Sequence, residues 1–405
     1  MDKSSKAIYF DPQYPSVESL RQKAKGSIPN FAFDYLEGGC NEDVNLHKNT
    51  LEIKDVELVP SYLRAHKETN MRTELFGHVY DAPFGMSPVG FQGLMWPNSP
   101  EILAKAAFEH NIPFILSNVT TSSIERISEL TEGRAWFQLY HPAENSIRDD
   151  ILKRAEMAGC RVLVLICDVP TRGFRPRDIK NGLAMPPKMS AKNMLQIAGK
   201  PEWALRTLIH GRPNFETLKP YMPKKRLSMK QLGQFMGQTS AGKLNDEKIR
   251  AIRDLWKGKL ILKGVTSEID VEKAIQLGMD GIIVSNHGGR QLDAAESSIK
   301  SLMRITASYK DKIKIMMDSG LRSGPDIARA LASGAEFTFM GRAFMYGVSA
   351  LGAKGGDHTI SMFKTQLQQI MEQLGCKDIE QLPSHLVSKS KARGRPSCGR
   401  QASEK

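Results

Sequence analysis

Gly281-Ile-Ile-Val-Ser-Asn-His-Gly-Gly-Arg-Gln-Leu-Asp293 is a short apolar run that ends abruptly in a histidine, two glycines and an arginine. Ile282, Ile283 and Val284 are β-branched and unalternated, the pattern of a strand covered on both faces, as in a parallel sheet. His287 and Arg290 follow just past its carboxyl end. A histidine exchanges a proton near neutral pH, and an arginine can hold a carboxylate through two parallel hydrogen bonds. The pair suits a substrate with a carboxylate beside an acidic proton, and Gly288 and Gly289 let backbone approach a ligand closely. A loop with an incidental histidine and a surface arginine is the plainer alternative; the rest of the chain decides between them.

Outward from this stretch, one pattern repeats from residue 83: a short apolar segment, a polar or glycine-bearing turn, then an amphipathic run. Eight such units predict strands at 83–87, 113–117, 135–140, 161–168, 259–263, 281–285, 313–318 and 336–340. Helical patterns lie between them at 100–110, 122–130, 145–158, 268–277, 297–309 and 324–332. This alternation is what a TIM (β/α)8 barrel requires, an α/β fold. An open doubly wound sheet is the alternative, but no GxGxxG follows the first strand.

Sites in such barrels gather at the carboxyl ends of the strands. Those ends carry Ser87, Ser117, Gln138 with Tyr140, Asp168, Lys263, Ser285 with His287, Asp318, and Gly341-Arg342. Singly, each has an ordinary explanation as a helix cap, a turn former or a surface lysine. Together they are explained by a ring of converging loops. After the seventh strand, Asp318-Ser-Gly-Leu-Arg-Ser-Gly opens a helix, and Gly341-Arg342 follows the eighth. In barrels this pair of loops commonly holds a phosphate with backbone N–H groups at a helix start, so a phosphate-bearing cofactor is expected.

Residues 1–80 read as amino-terminal helices and a cap. Ser16 caps one helix, a second includes Phe31, Phe33 and Tyr35 and stops at Gly38-Gly39, and 51–80 reads as short strands and loops. The barrel occupies 81–385, with a helix at 357–375 closing it, and 386–405 reads as a disordered basic tail. About 90 residues separate the fourth and fifth strands, so 174–245 contains an insertion. It carries fourteen Lys and Arg against three Asp and Glu, most of the chain's net charge of +13. Trp203, Leu205, Leu208 and Ile209, then Phe215, Leu218, Tyr221 and Met222, then Leu227, Met229, Leu232, Phe235 and Met236 are set among these cations. That is the pattern of a segment lying on an anionic bilayer surface, with a solvated lid over the barrel mouth as the alternative. No nucleic-acid-binding module is present, and the five cysteines have no metal-ligand or disulfide spacing. No apolar run reaches membrane-spanning length and no signal segment opens the chain, so a cytoplasmic protein is expected, and the insertion adds the expectation of peripheral contact with the inner face of the cell membrane.

With Ser285-Asn-His-Gly-Gly-Arg-Gln-Leu-Asp, Lys263-Gly-Val, Asp318-Ser-Gly-Leu-Arg-Ser-Gly and Gly341-Arg342 in order, the chain resembles the FMN-dependent 2-hydroxy acid dehydrogenases and oxidases. The resemblance implies an FMN enzyme, a homotetramer, that oxidises an L-2-hydroxy acid. His287 would be the general base and Asp168 its partner. Arg290 and Tyr35 resemble the carboxylate anchors, Tyr140 faces the substrate hydroxyl, and Arg175 is a further arginine near the substrate. Lys263 resembles the lysine beside flavin N1 and O2. Pro88, Val89, Gly90, Ser117, Gln138 and Ser285 would contact the flavin ring, Asp318 the ribityl chain, and Gly320, Arg322, Gly341 and Arg342 the phosphate. No metal is implied.

Ile166 stands where several members carry a threonine, and Val119 where glycolate oxidase has a tryptophan, which implies a roomier pocket. Pro88-Val-Gly-Phe-Gln-Gly, Trp96-Pro97 and the basic insertion resemble the membrane-associated mandelate and lactate dehydrogenases, implying a quinone or other membrane acceptor. A soluble oxidase producing hydrogen peroxide, and a barrel-derived binding protein without turnover, remain as alternatives.

Overall fold

The computed structural model describes residues 9–64, 68–183, 189–211, 213–222 and 243–387. A two-stranded antiparallel hairpin, β1 (Thr73–Leu75) and β2 (His78–Tyr80), precedes eight parallel strands. These are β3 (Phe84–Met86), β4 (Ile115–Ser117), β5 (Trp136–Leu139), β6 (Val162–Ile166), β7 (Lys259–Val265), β8 (Gly281–Val284), β9 (Lys314–Met317) and β10 (Phe337–Met340). Strands β4 to β10 pair in sequence order, and β10 pairs with β3. A single parallel bridge from Met86 to Phe114, with the Met86 N–H donating to the Pro113 carbonyl at 2.9 Å, joins the two edges into a ring. All eight strands and the six intervening helices lie where the alternating pattern places them, within a few residues. The helix predicted over 324–332 spans Gly324–Ala332.

Two apolar layers hold the barrel. Ile115, Trp136, Val164, Ile261, Ile283, Met316, Phe337 and Phe339 point inward and fill its lower half. The hairpin closes that end, since Leu75 and Tyr80 join the same cluster and Tyr80 accepts a hydrogen bond from Trp136 Nε1 at 3.2 Å. Removing Phe337 from such a packed layer costs about 3–5 kcal/mol. The second layer lies between the outer strand faces and the helices. With the amino-terminal mouth plugged, the barrel interior opens at its carboxyl end.

The amino-terminal segment reaches that end. Its first helix, Val17–Ser27, starts at a reciprocal capping box between Ser16 and Ser19. The second, Asn30–Glu37, stops at Gly38, whose φ of −66° needs no glycine. The demand for glycine falls on Gly39, where a Cβ would stand 2.6 Å from the Gly289 carbonyl oxygen. The pair is thus a close-contact point between this helix end and the loop after β8.

The insertion forms helices Pro176–Lys180, Ala191–Ala198 and Pro201–His210 and a turn at Lys219–Tyr221. Hydrogen bonds from Thr217 to the Ser122 carbonyl, from Arg154 to the Thr217 carbonyl and from Asn181 to Asp34 tie it to the barrel and the amino-terminal segment. Trp203 is buried edge-on against Phe31 and donates to the Leu94 and Met95 carbonyls; Phe215 stacks on Phe91 at 5.0 Å. The apolar residues singled out at 227, 229, 232, 235 and 236, and the tail beyond Val387, lie outside the described residues.

Candidate active site

The loop after β8 turns sharply, with His287 itself in the left-handed region at φ 58°. This turn is held from within, since the His287 N–H donates to Ser285 Oγ at 3.1 Å. Asn286 exchanges hydrogen bonds with Asn49, and Ser319 Oγ accepts the Gly288 N–H. The ring then reaches Asp168 at the end of β6, Nδ1 to Oδ1 3.0 Å. A carboxylate only accepts, so Nδ1 carries the hydrogen, and Nε2 is the nitrogen left to meet the cavity. Nε2 faces the Tyr140 hydroxyl at 3.4 Å. Burial first, then the Asp168 charge, raises the Tyr140 phenol well above its ordinary value, so it remains a neutral donor.

Lys263 is delivered by a bulge. The β7–β8 register shifts between Lys263 and Val265, and Gly264 takes φ 101° with no room for a Cβ, which would stand 2.5 Å from Asp168 Cβ. The buried ammonium lies 3.0 Å from Asp318 Oδ2 and 2.9 Å from Ser285 Oγ. Ser87 and Ser319 hydroxyls complete the Asp318 carboxylate. Burial alone would raise that carboxyl; the Lys263 charge and the surrounding donors outweigh it and hold it below the ordinary range. The reverse holds for Lys263, where burial works against the charge but Asp318 and Asp168 keep it raised.

Arg290 donates to the Tyr35 and Gly38 carbonyls, both at 2.8 Å, and lies 5.1 Å from the Tyr35 ring centroid. Burial, then the neighbouring Arg175 charge, pulls its guanidinium down to about 10. Arg175 is 3.4 Å from Gln291 Oε1 and 3.8 Å from Asp178, and its Nε is buried with no partner. Two adjacent, incompletely neutralised guanidiniums beside His287 Nε2 form a carboxylate site.

At the other end of the cavity, Gly320 takes φ 92°, with the Asn49 carbonyl where a Cβ would be. Arg322 follows it, and Gly341 precedes the helix Arg342–Leu351. The Arg342 guanidinium is committed elsewhere: it donates to the Leu36, Gly38 and Gly288 carbonyls, each at 2.9 Å. Burial and the Arg290 charge pull it down to about 9. What Arg342 offers an anion is therefore its main-chain N–H at the helix start, while Arg322 supplies the side chain.

All the predicted site residues except Asp168, Ser117 and Ser285 line a single cavity of about 1580 Å3. Those three support it from behind: Asp168 through His287, Ser285 through Lys263, and Ser117 through the Gln138 amide at 2.8 Å. Val119 and Ile166 also line it. The volume exceeds the roughly 300–1,000 Å3 of a single small-ligand pocket. A buried cation midway, helix starts with Arg322 at one end and the Pro88-Val89-Gly90 edge fit FMN with room for a substrate beside it. Sequence reading missed Asn49 and Gln291. Asn49 lies 237 residues from its partner and carries no local signal; Gln291 sits inside the quoted stretch, where its amide holds the Asp168 and Thr171 carbonyls. Among the described residues no group of His, Cys, Asp or Glu could hold a metal, and no helix is long and apolar enough to cross a membrane.

The model of the FMN-dependent dehydrogenase family matches residues 24–389. The chain is 35% identical over 372 residues to (S)-mandelate dehydrogenase of Pseudomonas putida, covering 92% of this chain and 93% of that protein. It is 34% identical over 363 residues to L-lactate dehydrogenase of Vibrio parahaemolyticus, covering 89% and 95%. Among solved structures, the monotopic membrane protein (S)-mandelate dehydrogenase superposes with a TM-score of 0.87 at 34% identity, over 93% of this chain and all of that one. Mandelate oxidase with (S)-2-phenylpropionate gives 0.76 at 28% identity, over 92% and 98%. The chain belongs to the FMN-dependent dehydrogenase family, and it is an FMN-dependent 2-hydroxy acid dehydrogenase.

Proposed function

We propose that this enzyme oxidises an L-2-hydroxy acid to the 2-keto acid and passes the electrons to a quinone or another membrane acceptor. The observation that carries the reading is His287. Its Nδ1 is tied to Asp168, its Nε2 faces the cavity, and the partly neutralised Arg290 and Arg175 stand beside it. The substrate carboxylate sits on Arg290 and Arg175, with Tyr35 alongside, which brings the C2 hydrogen and hydroxyl to Tyr140 and His287. His287 Nε2 takes a proton from the substrate, and Asp168 stabilises the resulting imidazolium. FMN, when bound, supplies the two-electron acceptor. Pro88, Val89, Gly90, Gln138 and Lys263 orient its ring, Asp318 its chain, and Gly320, Arg322, Gly341 and the Arg342 N–H its phosphate, with Ser117 and Ser285 behind. The Lys263 ammonium favours negative charge accumulating next to it.

Peripheral membrane attachment through the insertion belongs to the same reading. Leu195, Leu205, Leu208 and Ile209 are 58% or more exposed on its two longer helices, an apolar face that water does not favour. That (S)-mandelate dehydrogenase is described as a monotopic membrane protein supports membrane attachment. Rapid mixing of the substrate-reduced holoenzyme with oxygen or with a short-chain quinone tests the acceptor. Fast quinone and slow oxygen reaction is expected; the converse rate order makes the protein an oxidase.

A further inference from the structure

The cavity contains a fifth arginine, which the roles above leave unused. Arg172 lines it together with Arg175 and Arg290, on the loop after β6. Among the described residues no hydrogen bond or ion pair engages its guanidinium. Within the insertion, the segments 184–188, 212 and 223–242 contain no Asp or Glu. Asp168 is committed to His287, and Asp178 faces Arg175 and Arg290.

Its backbone is fixed, which separates it from a solvated surface arginine. Gln291 Nε2 donates to the Asp168 and Thr171 carbonyls, both at 3.0 Å, just before it. A Cβ on Gly173 would lie 2.2 Å from the Arg290 carbonyl oxygen, so the next residue is pressed against the catalytic loop. The Phe174 carbonyl accepts the Asn41 N–H at 2.8 Å. The side chain is open to the cavity by area, yet surrounding protein is the largest influence on its charge. That burial, and then the Arg175 charge, lower its pKa; Tyr35 and Tyr140 act in the opposite direction. The cation therefore stands among the groups that frame the substrate.

One carboxylate on Arg290 and Arg175 leaves this charge uncompensated. We propose that Arg172 binds a second anionic group on the substrate, so that the preferred substrate is a 2-hydroxy dicarboxylate with its second carboxylate beyond C2. This rests on the 2-hydroxy acid reading above. A charge-assisted hydrogen bond in a partly desolvated site is worth roughly tenfold in binding or more.

The test uses FMN-loaded enzyme with a dye acceptor and compares tartronate, malate and 2-hydroxyglutarate with lactate, 2-hydroxybutyrate and 2-hydroxyvalerate. The expected result is that at least one dicarboxylate exceeds its chain-length partner in kcat/KM by about tenfold. That ratio should collapse in Arg172→Gln through KM and be largely restored in Arg172→Lys. The wild-type comparison does not depend on the variants folding. Monoacids turned over as well as or better than every dicarboxylate overturn the proposal while sparing the 2-hydroxy acid reading. Turnover of neither class overturns both. An Arg172→Gln enzyme with an unchanged ratio but weaker binding to phosphatidylglycerol vesicles overturns it in favour of a lipid headgroup.

Discussion

The loop after β8 and the insertion after β6 wall the same cavity, but they are held in opposite ways. In the first, His287, Arg290 and Gln291 each have named partners on other elements, and the charges are buried. In the second, Trp203, Phe215 and Leu218 are buried while Leu195, Leu205, Leu208 and Ile209 are exposed. Desolvated charge tolerates little displacement, because a partner lost is not replaced by water. Exposed apolar side chains can be changed without disturbing the barrel. The first wall carries buried charged groups, and the second carries the exposed apolar face proposed above to meet a membrane.

The contrast can be broken most directly at His287. His287→Gln should lower turnover by about 10³-fold or more while FMN absorbance is retained; near-normal turnover would remove His287 as the base. Next in size, Asp318→Asn leaves the Lys263 ammonium buried without its counter-charge. A loss of about 3–5 kcal/mol is expected in denaturant unfolding. The Asp318 carboxyl is held below its ordinary value, so its contribution is present above about pH 4 and is lost as pH falls through the folded value.

A smaller effect comes from pH on the alkaline side. The Arg290 guanidinium is depressed to about 10, and a bound carboxylate favours its charged form. Substrate binding is thus complete below that value and weakens as pH rises through it. KM should climb across that range in a steady-state pH profile, and a flat KM would show that Arg290 does not hold the carboxylate. The smallest stability effect belongs to the outer wall. Leu208→Ser with Ile209→Ser should shift unfolding by no more than about 0.5 kcal/mol per site yet weaken sedimentation with anionic vesicles. Trp203→Ala on the same helix should cost about 3–5 kcal/mol.

What the sequence made legible follows the same division. Doubly covered strands write themselves as unalternated apolar runs, so Ile282–Val284 and the seven others could be located without coordinates. Polar residues at their carboxyl ends stood out because the runs leading to them are mostly apolar. Arg342 was legible as a strand-end residue, but its commitment to three backbone carbonyls was not, since carbonyls carry no residue identity. Asn49 was hidden for a related reason: a helix asparagine has no pattern that names a partner two hundred residues away. Gly38-Gly39 reads as a helix stop, whereas the need for glycine arises from contact with Gly289.

The Arg342 contacts have a consequence for how the molecule comes into being. Its guanidinium reaches the Leu36 carbonyl across 306 residues of chain, and through Gly288 it also holds the catalytic turn. Contacts of such separation form late, after the intervening loops have closed. A growing chain would thus carry its first helices for most of its synthesis before the residue that docks them exists, and competence for chemistry arrives as one of the last events of folding.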